Sequence, residues 1–129
     1  MRRPAKSTDR QARGQRAESL AEAYLQRQGL AIIERNYRCK MGEVDLIADH
    51  AGTLVFIEVR LRESRDGNDY GGAAGSITPA KQRRIIKAAQ HYLALKFPRQ
   101  PPPCRFDAVL LNQLSEADLE WLRGAFEVG

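Results

Sequence analysis

The chain has 129 residues, 43% of them hydrophobic and 29% charged, with a formal net charge of +5. That is enough for one globular domain with its own core, without disulfides or a structural metal. No apolar run approaches ~18 residues, which excludes a membrane-crossing helix, and the basic N-terminus lacks the apolar segment of a secretory signal. Cys39 and Cys104 have no metal-ligand spacing and read as reduced thiols of a cytoplasmic protein, with a single bridge between them as the alternative.

The charge is unevenly placed. Arg2, Arg3, Lys6, Arg10 and Arg13 face Asp9 alone, and residues 79–105 hold Lys81, Arg83, Arg84, Lys87, Lys96, Arg99 and Arg105 with no acid. Glu116, Asp118, Glu120 and Glu127 follow near the C-terminus. Such a distribution suits a polyanionic partner such as nucleic acid, although a solvated helix face and a basic tail explain the charge alone equally well.

In chain order, residues 1–12 lack apolar periodicity and are expected to form a disordered basic tail, leaving 13–129 as a single domain. A helix is predicted from about Arg13 to Gln28, with Ala17, Leu20, Ala21, Tyr24 and Leu25 on one stripe and Gly29 as its stop. Glu18 falls on the flank of that stripe. Leu30–Arg38 reads as a strand.

Residues 42–62 read as two strands joined by a short turn around His50–Gly52, each with an acid in an otherwise apolar run: Asp45 in the first, Glu58 in the second. Alternation groups Glu43, Asp45 and Ile47 against Val44, Leu46 and Ala48. It groups Leu54, Phe56, Glu58 and Arg60 against Val55, Ile57, Val59 and Leu61. A short turn sets Asp45 nearly opposite Glu58, where Cβ atoms stand roughly 4.5–5.5 Å apart. Two carboxylates so close repel unless one is protonated or a cation lies between them. Arg60, on the same face, offers a structural ion-pair solution. A divalent ion offers a functional one, since Mg²⁺ is commonly held by one or two carboxylates plus water and phosphate oxygens.

Residues 62–77, rich in glycine, are expected to be a loop. Thr78-Pro79 opens a second helix to about Leu95, with Ile85, Ile86, Ala89, Tyr92 and Leu93 on its apolar stripe. Lys81 lines up with that stripe one turn before Ile85, and either snorkels or reaches the hairpin acids. Arg83, Arg84 and Lys87 point elsewhere and, with Arg62, are the candidates for phosphate contacts. Pro101–Pro103 is a stiff connection, Cys104–Leu111 a further strand, and Leu119–Phe126 a final short strand or a helical turn after Ser115.

Taken together, Gly14–Glu18, Asn36-Tyr37-Arg38, Gly42–Ile47, Val55–Arg60, Lys81–Arg84 and Arg105-Phe106-Asp107 resemble the YraN-like family of small uncharacterised bacterial proteins. The resemblance spans roughly residues 14–126. It implies a restriction-endonuclease-like α/β fold of the PD-(D/E)xK nuclease superfamily, similar to archaeal Holliday-junction resolvases. That fold has a mixed sheet of four to five strands flanked by helices in α-β-β-β-α-β order. It further implies Mg²⁺ or Mn²⁺ on Asp45 and Glu58, with Glu18 auxiliary, and hydrolysis of phosphodiester bonds in DNA, branched or damaged DNA included. A resolvase-like activity needs two sites acting on two strands, which a homodimer would supply. The chain departs from the superfamily at Arg60, where lysine is usual. Arginine stays protonated and cannot act as a general base. Arg60 can still handle phosphate charge, and Lys81 is the candidate to supply the missing amine. The alternative expectation is a catalytically silent nucleic-acid-binding protein of the same fold.

Overall fold

The computed structural model of the chain describes residues 5–61 and 77–128. Its elements are α1 (Ala5–Arg27), β1 (Ala31–Cys39), β2 (Gly42–His50), β3 (Thr53–Leu61), α2 (Pro79–Lys96), β4 (Cys104–Leu111), a single 3₁₀ turn (Glu116–Asp118) and β5 (Leu119–Phe126). The strands form one sheet in the order β1-β2-β3-β4-β5. Neighbours are antiparallel except β3 and β4, which run parallel. A parallel step needs a crossover, and α2 lies in that connection. This is the α/β, restriction-endonuclease-like architecture expected from the sequence, with β5 completing the sheet. Among the described residues no helix is long and apolar enough to cross a membrane.

Each helix covers one face of the sheet. Ala17, Ala21 and Leu25 of α1 pack on Leu46, Ala48, Val55, Ile57, Val109 and Leu111. Ile85, Ala88, Ala89 and Tyr92 of α2 pack on Val44, Ile47, Phe56, Phe106 and Ala108. The near-continuous apolar runs of β2, β3 and β4 follow from this, because a strand covered on both faces has no solvent side to reserve for polar residues.

Local chemistry sets the element boundaries. The Thr78 side chain caps α2 by accepting from Lys81 N at 3.1 Å, and Pro79 occupies the first helical position. The β2–β3 turn is Ala51-Gly52, both at positive φ (53° and 94°), the geometry that matches strand twist in two-residue hairpins. The helical turn after Ser115 and the final strand, posed as alternatives, are both present in succession.

Two expectations are corrected. Residues 5–12, expected in a disordered tail, are helical, so α1 starts at Ala5 rather than near Arg13. Ala5, Lys6, Gln11 and Ala12 are good helix formers and propagate the helix without an apolar face of their own. Residues 1–4 and the expected loop residues 62–76, Arg62 among them, lie outside the described residues. Val44 does not share a core with Leu46 and Ala48; it packs with Ile47 on the α2 side. The alternation of β2 breaks at Asp45, and α2 passes close to the start of the strand.

Gly42 makes that approach possible. A Cβ at this position would overlap the backbone carbonyl oxygen of Arg84 in α2 and stand 2.8 Å from its carbon. Neither backbone can yield cheaply, so Gly42→Ala is expected to cost about 2 kcal/mol. A urea or thermal melt would register the loss.

A fully buried carboxylate, Asp107, ties β5 to β4. It accepts from Arg105 Nε (3.0 Å), Trp121 Nε1 (2.9 Å) and the backbone N–H of Gly124 (3.0 Å). The Arg105 guanidinium also reaches His50 Nδ1 at 2.9 Å. With its donors all supplied, Asp107 reads as a clasp rather than a reactive group. Asp107→Asn places an amide N–H against one of those donors. It is expected to cost about 2 kcal/mol in a denaturant melt.

Candidate active site

The site lies where β2 and β3 part. Their ladder runs from His50–Thr53 to Leu46–Ile57 and ends there. Asp45 and Glu58 occupy the next step. In place of a ladder partner, the backbone N–H of Val59 donates to Asp45 Oδ2 at 2.8 Å. The Asp45 carboxyl also shares a side-chain hydrogen bond with Glu58. Glu58 is buried at 4% exposure, on the α2 side with Leu54 and Phe56.

From α2, Lys81 reaches into this gap. Its Nζ lies 3.2 Å from Glu58 Oε2. The N-cap at Thr78 starts α2 one turn earlier, and Gly42 lets α2 settle against β2; together they deliver the amine to the acids. The inward projection read from the sequence therefore corresponds to a contact with the acid pair. Arg60 follows Glu58 by two residues and is half-buried, but the ion pair to Glu58 is made by Lys81.

From the opposite face, α1 brings Glu18. Its carboxyl is pushed up to about 7, first by burial and then by the charge of Asp45, while a side-chain hydrogen bond from Asn36 opposes the rise. Asp45 is likewise pushed up to about 7, by burial first and by Glu58 next. The acids thus form a line through the parted strands, from Glu18 beneath α1, through Asp45 and Glu58, to the Lys81 ammonium beneath α2.

Among the described residues no three His, Cys, Asp or Glu side chains form a closed metal cage. Glu18 stands beside Asp45 without completing one. The donors nonetheless suit a hard cation. Two carboxylates, Glu58 buried and Asp45 half-buried with its pKa raised by burial first and by Glu58 next, share the one Lys81 ammonium. A Mg²⁺ or Mn²⁺ ion typically takes one or two protein carboxylates and fills its remaining positions with water and phosphate oxygens.

Arg83, Arg84 and Lys87 are exposed on the outer side of α2. Asn36, not singled out from the sequence as a site residue, adopts φ 53° within β1, between the Arg35–Leu46 and Tyr37–Val44 pairs. Asparagine tolerates this left-handed conformation better than other non-glycine residues. The kink turns its amide onto Glu18. In the sequence Asn36 shows as an asparagine interrupting an Ile/Tyr-rich strand and as the first residue of the Asn36-Tyr37-Arg38 run.

Residues 17–111 match the model of a family described as Uncharacterised protein family UPF0102. The chain is 57% identical over 128 residues to a UPF0102 protein of Cupriavidus metallidurans, covering 98% of this chain and 88% of the relative. A UPF0102 protein of Ralstonia nicotianae is 52% identical, with 91% and 88% covered. One of Nitrosomonas europaea is 50% identical, with 89% and 93% covered. These matches agree with the YraN-like resemblance read from the sequence.

Proposed function

The chain belongs to the UPF0102 family of uncharacterised proteins, and from that starting point we propose that it is a divalent-metal-dependent nuclease hydrolysing phosphodiester bonds in DNA, with branched or damaged DNA as the substrate class. The observation that carries the reading is the Lys81 amine, 3.2 Å from Glu58, the carboxylate that neighbours Asp45. An acid pair with an amine from a different element supplies the chemistry that Arg60, in the usual lysine position, cannot supply alone.

A cation held by Asp45 and Glu58 would polarise a phosphodiester oxygen and lower the pKa of an attacking water. The Val59 N–H fixes the Asp45 carboxylate for that task. Lys81 donates to the phosphate oxygens on which negative charge accumulates, and Arg60 holds a permanent positive charge at the same edge. Glu18, steadied by Asn36, flanks the water side and can accept a proton near neutral pH. Arg83, Arg84 and Lys87 grip flanking phosphates, which positions the substrate without reading sequence.

A second reading, nucleic-acid binding without cleavage, is favoured by one observation: Lys81 already compensates Glu58 without metal. Incubation with branched, flapped and single-stranded DNA in Mg²⁺ or Mn²⁺, with Asp45→Ala as control, separates the two. Cleavage that needs metal and disappears in the control is the expected result. Binding without cleavage of any substrate would favour the second reading, and no binding even at low salt would overturn both. Replacing Arg83, Arg84 and Lys87 by alanine is expected to weaken binding uniformly across sequences. The slope of log affinity against log salt should fall by about 0.9 for each phosphate that is no longer neutralised, measured by fluorescence anisotropy.

A further inference from the structure

Beside the acid line, α1 and the β1–β2 pair enclose an open groove of about 290 Å³. Gln15, Glu18, Ser19 and Glu22 line its helix side. Their spacing of three, four and seven places them on one face of α1, next to the stripe that Ala17, Ala21 and Leu25 bury in the core. The floor is Leu46, and Asn36 and Arg35 close the strand side. Small Ser19 over Leu46 leaves space that a larger side chain would fill.

The groove's chemistry selects its ligand. Arg35 grips Glu22 through two hydrogen bonds, one of them Nε to Oε1 at 2.8 Å, so the guanidinium is committed. With Arg35 already paired to Glu22, the groove offers no uncommitted cation to a phosphate. It offers instead the Gln15 amide, the Ser19 hydroxyl and the Glu18 carboxyl, groups that match the edge of a flat, neutral heterocycle. Amide and carboxyl side chains pair with adenine and the cytosine amino group in this way. The volume, at the lower end of ligand pockets, fits one such ring and not a base pair. The groove shares Glu18 with the acid line, so a nucleotide whose phosphate lies at Asp45 and Glu58 has its base within reach of it.

We propose that this groove receives a single unpaired nucleobase from the strand bound at the acid site. The proposal rests on the nuclease-type reading above and narrows its substrate to DNA with an unpaired or readily extruded nucleotide. Unstacking costs least where a base is already unpaired, and this makes such sites the preferred ones.

The test compares a paired duplex with one containing a single unpaired 2-aminopurine at low salt, with Ca²⁺ in place of Mg²⁺, so that a hard cation can bridge the acids to phosphate while cleavage is withheld. The wild-type protein is expected to bind the bulged duplex about tenfold more tightly, with a change in 2-aminopurine fluorescence. Ser19→Phe, which fills the groove from an exposed helix position, should erase the preference and leave paired-duplex affinity within about twofold. Gln15→Leu, which keeps the volume and removes the amide, should reduce it. Equal wild-type affinity for the two duplexes, or a preference that survives Ser19→Phe, would overturn the groove's role and leave the nuclease reading standing. No affinity for either duplex would overturn both. A thermal melt of each variant shows that the fold is retained.

Discussion

Asparagine in place of Asp45 is expected to lower metal-dependent cleavage by at least about a thousandfold, roughly 4 kcal/mol of transition-state stabilisation, and at the same time to stabilise the metal-free protein. The loss follows from removing one of two carboxylates able to hold the cation. The gain follows from the electrostatics of the hairpin itself. Burial, Glu58 and Glu43 push Asp45 from its ordinary 3.8 up to about 7, against the Val59 N–H, while Lys81 faces Glu58 and Glu18 lies on the other side. A carboxyl with a raised folded-state pKa holds its proton more tightly in the native chain than in the unfolded one. It therefore costs nothing below about pH 4, becomes steadily more destabilising up to about pH 7, and reaches its full penalty above that. Asparagine never ionises. The Asp45→Asn protein should match the wild type near pH 4 and exceed it at pH 8 by about 2 kcal/mol, allowing for the solvent that still reaches the carboxyl. Thermal melts across that range, in EDTA, would measure the difference. A variant equally destabilised at both pH values would show that Asp45 serves the fold through its charge. Saturating Mn²⁺ should narrow the gap, because a ligand that binds only the native wild type stabilises it by mass action.

Removing the amine should do the opposite to stability. Lys81→Met leaves Glu58 buried beside Asp45 with its ammonium gone. Breaking such a pair on one side is costly, here about 2–3 kcal/mol, since the lysine itself is 39% exposed on its side chain. Cleavage should fall by about 10²–10³-fold, the usual cost of deleting a donor aimed at developing charge. Stability loss alone could mimic that fall, so cleavage is measured well below the variant's melting midpoint, and the double variant Lys81→Met with Glu58→Gln isolates the effect on stability. Neutralising Glu58 removes the orphaned charge, and the melt should return to near the wild-type midpoint, a strong non-additivity between contacting residues. Wild-type cleavage by folded Lys81→Met would reduce the Lys81–Glu58 contact to a structural ion pair.

Much of the site was readable before any geometry. Asp45 and Glu58 stood out because a carboxylate in a strand of buried aliphatics needs a compensating partner. Lys81 stood out because Thr78-Pro79 fixes where α2 begins, and the helical period then fixes which way its first turn faces. Glu18 was placed on the flank of its stripe by the same reasoning, and α1 sets it beside Asp45. Asn36 was missed because its role depends on one residue's departure from strand geometry, which no periodicity encodes. Asp107 entered only as part of the Cys104–Leu111 strand and of the Arg105-Phe106-Asp107 run. Its partners Trp121 and Gly124 come from β5, and a partner separated by a turn of unknown register cannot be read from spacing.

What the sequence determined by itself was local: where β1 to β4 and α2 lie, which helix residues turn inward, the two-residue hairpin, and the residue types able to bind a cation. Those features depend on backbone preferences and side-chain periods within a few residues. The tertiary structure decided everything that depends on how elements meet. It set β4 parallel to β3, turned Val44 away from its expected face at Asp45, and put α1 and α2 on opposite sides of the sheet. That last arrangement makes the acids a line through the parted strands, reached by Asn36 and Glu18 from one side and Lys81 from the other. Such contacts join residues far apart in the chain, and their energy depends on close packing, as where Gly42 passes the Arg84 backbone.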